Sequence, residues 1–187
     1  MPAGDDLDHD ATVLDVLDRL VTGVDRELLA DRLGDRDLAS ISYSAVHGRN
    51  LSQRYDSGQV DTNVLVRHLT GDPPAMAGRA TRFLATANDL LLPDLILAET
   101  AYVLESYYEV PRERVATILR SVLAFPAIRV VDADLLLRAI EIYEVDRLDL
   151  ADAYLVASAE RAGVRDIVSF DRSIDRIPTV RRIEPAA

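Results

Sequence analysis

The sequence predicts an α/β layer fold with a mostly parallel sheet, preceded by an N-terminal helical extension. Three observations carry this expectation. Short apolar runs of strand length, "LLLP", "IRVVD" and "DIVSFD", recur between residues 90 and 171. Longer segments with apolar residues at helical spacing separate them. Turn residues and prolines mark the joins, and strands that alternate with helices build parallel sheets.

Residues 1–10 are acidic and poor in large apolar groups. From Ala11 to Leu33, Val13, Leu14, Leu17, Leu20, Val21, Val24, Leu28 and Leu29 recur at helical spacing, interrupted by Gly23. "DLASISYSAV" has the character of a short strand, and "HGRNLSQRYDSGQ" reads as a polar linker. A boundary is therefore expected near Gly58, with an extension over 1–58 and the main domain over 59–187. Two readings of the extension stand. It packs on the domain through Leu14, Leu17, Val21, Val24 and Leu28, or the true start of translation lies downstream of Met1.

Beyond the boundary, a short strand closes at about Asp61. Val64, Leu65, His68 and Leu69 then have the spacing of a helix start. "DPP" at 72–74 is turn chemistry that opens a helix running to about Ala87, because proline fits the first helical turn. "LLLP" is a buried strand stopped by Pro93. "PDLILAETAYVLESYYEV" and "PRERVATILRSVLAF" follow as helices, then the strand "IRVVD". "DADLLLRAIEIYEV" and "DLADAYLVASAERAG" are helices, the second closed by Gly163. "RDIVSFD" and "TVRRIEP" end the chain as strands. Sites in parallel sheets form at the carboxyl ends of strands, which is where Asp61 and Asp171 fall.

Composition narrows the function. The 187 residues are about half apolar and suffice for one domain with a core. There is no cysteine, which removes disulfides, thiolate metal sites and cysteine nucleophiles. No signal peptide or membrane-spanning run is evident, so a soluble cytoplasmic protein is expected. A net charge of −11 argues against tight sequence-independent nucleic-acid binding, but not against a nuclease whose local field is reversed by cations. Every basic residue is arginine. That suits phosphate recognition, though a GC-rich coding bias gives the same composition.

Several carboxylates stand in awkward places. Glu99 has Leu95, Ile96, Tyr102 and Val103 three and four positions away, which puts it on an apolar stripe expected to be buried. An ionised carboxylate there needs a cation, a hydrogen-bond network or a raised pKa. Asp149 suits a helix N-cap, and Asp152 three residues later resembles a capping box. For Asp149 alone, capping is the expected role. Asp152 sits beside Leu155 and Val156, at the entry of a helix that is apolar almost all round. Asp171 ends a strand and also suits a turn. Four acids of this kind suit Mg²⁺ or Mn²⁺, and carboxylate clusters holding such ions activate water for displacement at phosphorus.

"VDTNVLV", "LILAETAYVL", "DLADAYLVASA" and "IVSFD" occur in the order and context of the PIN-domain ribonucleases. Over about Val60 to Pro185 the chain resembles the VapC-type toxins of bacterial toxin–antitoxin pairs. The resemblance implies a three-layer fold with a mostly parallel central sheet flanked by helices. It matches Asp61, Glu99 and Asp152 to three acidic metal ligands, Asp171 to a fourth and more variable acid, and Asp149 to a frequent companion. Thr62 and Asn63 complete a D-T-N signature, and Ser169 matches a small hydroxyl residue two positions before the last acid. It implies a Mg²⁺- or Mn²⁺-dependent endoribonuclease that cuts RNA, forms a homodimer and is neutralised by a cognate antitoxin, with no membrane partner. The chain departs from the family before Asp61, where "YDSGQV" is mostly polar and implies a shortened first strand.

Other features point less far. His9, His47 and His68 show no metal spacing. Arg67, Arg79 and Arg82 can guide RNA, or be ordinary surface arginines. Tyr102, Tyr107 and Tyr108 can stack bases, although the spacing of Tyr102 predicts a core residue. An aspartate-nucleophile phosphatase is disfavoured because Asn63 stands where a second aspartate is needed. The competing class is a catalytically degenerate PIN-like domain that only binds protein or RNA.

Overall fold

The structure, a computed structural model, describes residues 58–186. The expected N-terminal helix, the short strand and most of the linker lie outside the described residues. The described residues form an α/β fold of helices and short parallel strands. They fall into two compact units, one of residues 58–92 with 124–129, the other of 93–123 with 130–186.

In the first unit, α1 (Thr62–Thr70) follows an extended Asp61 and buries Leu65, Val66 and Leu69. It stops at Gly71, whose φ of 77° is a left-handed conformation open to glycine, and whose N–H bonds Arg67 O at 3.0 Å. Helix α2 (Pro74–Thr86) starts at paired prolines and buries Ala77, Ala80 and Leu84 against α1. Small residues at that seam let the two helices approach closely. Strand β1 (Leu90–Leu91) pairs in parallel with β2 (Ile128–Arg129). On its other side it forms a parallel bridge to Gln59. Val60 N–H bonds Leu91 O at 3.0 Å, and Leu91 N–H bonds Gly58 O at 3.0 Å. The polar "YDSGQV" thus ends in a single bridge, and Asp61 stands at its carboxyl end.

In the second unit, α3 (Asp94–Ser106) begins after Pro93 and buries Leu97, Thr100, Ala101 and Leu104. Helix α4 (Arg112–Ala124) buries Val115, Ala116, Ile118, Leu119 and Val122. The Asp132 side chain caps α5 (Ala133–Val145) by accepting from Leu135 N–H at 3.0 Å. Helix α6 (Leu150–Arg161) packs on α5, α3 and β3. Strands β3 (Asp166–Val168) and β4 (Arg181–Ile183) pair in parallel, joined through a short 3₁₀ turn, Arg172–Arg176.

Two polar networks tie this unit. Arg112 donates to Glu105 Oε1 at 3.0 Å and to the carbonyls of Tyr143 and Leu148, while its guanidinium lies 4.3 Å from the Tyr143 ring centroid. The Tyr143 hydroxyl donates to Glu105 Oε2 at 3.1 Å, and burial together with Glu105 pushes that phenol up. Arg138 of α5 donates twice to Glu160 of α6, and Thr179 donates to the same carboxylate.

Two expectations about α3 are corrected. Glu99 lies on an exposed face, beside Leu95 at 75 % and Tyr102 at 70 % exposure. The apolar neighbours do share a stripe, but the helix turns its Leu97–Thr100–Ala101–Leu104 face inward instead. Tyr102 is accordingly a surface residue. His68 is a core-edge residue: it is half-buried, bonded to Thr81 Oγ1 at 2.9 Å and edge-on to Phe125. Burial lowers its pKa. No described helix is long and apolar enough to cross a membrane.

Candidate active site

The acids of the second unit meet around the start of α6. Asp152 is the third residue of that helix and is half-buried above Ala153 and Val156, which are fully buried. Burial pushes its carboxyl up, and the charges of Asp149 and Asp171 push it further. Asp171 follows β3, exposed, with its carboxylate close enough to Asp152 for each to shift the other. Its carboxylate accepts the N–H and the hydroxyl of Ser173, both at 2.8 Å. Those bonds hold it below the usual carboxylate range, helped by Asp152 and Arg176. The two neighbours are thus shifted in opposite directions, Asp152 up and Asp171 down.

Asp149 occupies the N-cap position of α6, yet its side chain makes no capping hydrogen bond. The expected capping role is corrected: the backbone is extended at φ −65° and ψ 158°, and the carboxylate instead adds its field to Asp152. Ser169 accepts the Asp171 N–H at 3.0 Å on its hydroxyl, so Ser169 and Ser173 together shape the turn that presents Asp171.

Asp61 belongs to the first unit. It too is an N-cap without a side-chain capping bond; its carboxylate accepts Asn63 Nδ2 at 3.2 Å. The D-T-N signature therefore has a local logic: Asn63 orients the acid, and Thr62 is buried. Glu99 stands on the exposed face of α3.

Among the described residues, no group of three or more His, Cys, Asp or Glu side chains is positioned to hold a metal ion as it stands. The donor chemistry nevertheless fits a hard cation. Asp149 and Asp171 crowd negative charge around the half-buried Asp152 and push its carboxyl up. A divalent ion relieves the same repulsion with oxygen donors of the preferred kind.

The PIN domain family model matches residues 59–180, from before Asp61 to past Asp171. The chain belongs to the PIN-domain family. Comparison with curated proteins finds no match. PIN domains are usually metal-dependent nucleases, so the family assigns this chain nuclease chemistry in general terms. In this PIN domain, sequence reasoning passed over Ser173 and Arg176, the two partners that hold Asp171 ionised. The signal was present in "DRS", an aspartate followed two residues later by a backbone N–H it can accept.

Proposed function

We propose that this PIN-domain protein is an Mg²⁺- or Mn²⁺-dependent endoribonuclease, of the toxin kind that a cognate antitoxin neutralises. The observation that carries the reading is the gathering of Asp149, Asp152 and Asp171, whose charges push the Asp152 carboxyl up. Asp61, Glu99, Asp152 and Asp171 would hold the ion, with Asp149 next to it. Bound there, a divalent ion supplies a nucleophilic water and charge stabilisation for in-line displacement at phosphorus. The chain's own residues do the positioning: Asn63 orients Asp61, and Ser169 and Ser173 fix Asp171.

The partner part of the proposal draws support from α3. Leu95, Tyr102 and Tyr107 are all at least 70 % exposed, and apolar surface of this kind marks interaction sites. A second copy of the chain and an antitoxin are the partners proposed for it.

The test is direct. Purified protein is incubated with total RNA and Mg²⁺ or Mn²⁺, and the cleaved ends are mapped. Cleavage that stops with chelator and in Asp152→Asn supports the reading. Co-expression with the neighbouring small reading frame should relieve growth arrest; failure to form a complex or relieve it rejects the antitoxin. The second reading, a binding module without catalysis, is favoured by the absence of a preassembled three-acid group among the described residues. It requires no specific Mn²⁺ affinity dependent on Asp61 and Glu99, which a metal titration decides.

A further inference from the structure

The α1–α2 pair differs electrostatically from the rest of the chain. Residues 62–88 contain three arginines and one aspartate, a net charge of +2 within a protein of −11. Neither helix has an acid in its first turn. A groove of about 340 Å³ runs between them, lined by Asn63, Val64 and Arg67 of α1 and by Met76, Arg79 and Phe83 of α2, with Ala80 at its floor. No carboxylate lines it.

Three details identify its occupant. Arg67 is half-buried, and Nη1 donates to Asp72 O at 3.2 Å, which fixes the guanidinium. Its Nε is buried without a hydrogen-bond partner among the described residues, a donor left over after the fold is complete. Arg79 is exposed on the opposite wall. Phe83 is 52 % and Met76 45 % exposed, an apolar face next to the two arginines. Cationic donors beside an open aromatic ring suit a chain of phosphates and bases: arginine holds phosphate, and a base stacks on the ring. Asn63, whose amide holds Asp61, lines the same groove, so a strand lying in it passes one of the acids of the nuclease motif.

We infer that the α1–α2 groove binds single-stranded RNA, with Arg67 and Arg79 holding phosphates and Phe83 stacking a base. The inference rests on the ribonuclease reading above for the identity of the strand. It explains how an acidic protein engages a polyanion: the field is reversed locally, on one helix pair.

The test uses the full chain in EDTA, so that binding is read without cleavage. Anisotropy of a short labelled single-stranded RNA is titrated at several salt concentrations. Arg79→Glu should weaken binding ~10-fold or more. The double variant Arg67→Gln/Arg79→Gln should lower the salt slope by about 1.4, the loss of two phosphate contacts on a single strand. Phe83→Ala should weaken binding ~10-fold with the slope unchanged, and Phe83→Trp should restore it. Arg79 and Phe83 are exposed, so these variants should fold, and thermal melts check it. Wild-type affinity in both Arg79→Glu and Phe83→Ala overturns the inference. So does a glutamate-rich peptide that binds the groove more tightly than RNA, since the site would then be one for protein. RNA binding through the groove without any Mn²⁺-dependent cleavage overturns the nuclease reading and leaves the groove standing. Cleavage with unchanged KM in both variants does the reverse.

Discussion

Asp152, in the first turn of α6, and Asp171, in the turn after β3, lie close enough that each shifts the other's pKa, Asp152 upward and Asp171 downward. Nineteen positions separate them in sequence, and only the packing of α6 against β3 brings them to one place. The pair is frustrated without a cation, and the first prediction follows from that.

The folded-state pKa of Asp152 is raised, so its contribution to stability is full below the unfolded carboxylate value and is lost as pH rises through the folded value. At neutral pH the metal-free protein therefore carries a destabilising charge. Asp152→Asn should raise the metal-free melting temperature at pH 7 and leave it nearly unchanged at pH 4. Mn²⁺ should stabilise the wild type and not the variant. Equal melting shifts with Mn²⁺ in both proteins would count against a shared site.

Glu160 shows the opposite sign. Arg138 holds its pKa down, so this contribution is present above the ordinary value of 4.5 and fades as pH falls through the lower folded value. A double-mutant cycle on Arg138→Met and Glu160→Gln should give a coupling of ~1 kcal/mol at pH 7, kept small by partial exposure of both groups. The coupling should vanish at strongly acidic pH; one that persists there would assign it to packing.

Arg112 joins α3, α4 and α5 through Glu105, Tyr143 and Leu148. Arg112→Met removes the donors while keeping most of the side-chain volume, and leaves the carboxylate and carbonyls without them. The expected loss is about 2–3 kcal/mol, read from denaturant unfolding. A loss below about 0.5 kcal/mol would show that water replaces the guanidinium freely.

Glu99 tests the site apart from the fold. Because the residue is exposed, Glu99→Gln should leave the melting temperature of the metal-free protein within about a degree. RNA cleavage should fall by more than about 10²-fold if the carboxylate is a ligand. Wild-type cleavage would remove Glu99 from the site.

Much of the fold was legible because its signals are local. Pro74, Pro93 and Pro111 open helices where the missing N–H costs nothing, and Gly71 and Gly163 close them with positive φ. The strand positions were legible for the same reason, as were Asp61 and Asp171 at their ends. Helix and strand periodicity further determined which residues share a face. It did not determine which face finds cover. On α3 the stripe read from the sequence, with Leu95 and Tyr102, is exposed, and the Leu97–Leu104 face is the one that is buried. Capping followed the same division. The position of Asp149 at the head of α6 is written in the sequence, but its carboxylate stays off the helix amides and acts on Asp152 instead. The sequence alone therefore determined where elements begin, end and place their acids, since those depend on the next few residues. The tertiary structure decided which apolar stripe is covered and which carboxylates are brought together, because both depend on atoms brought near by packing across many intervening residues.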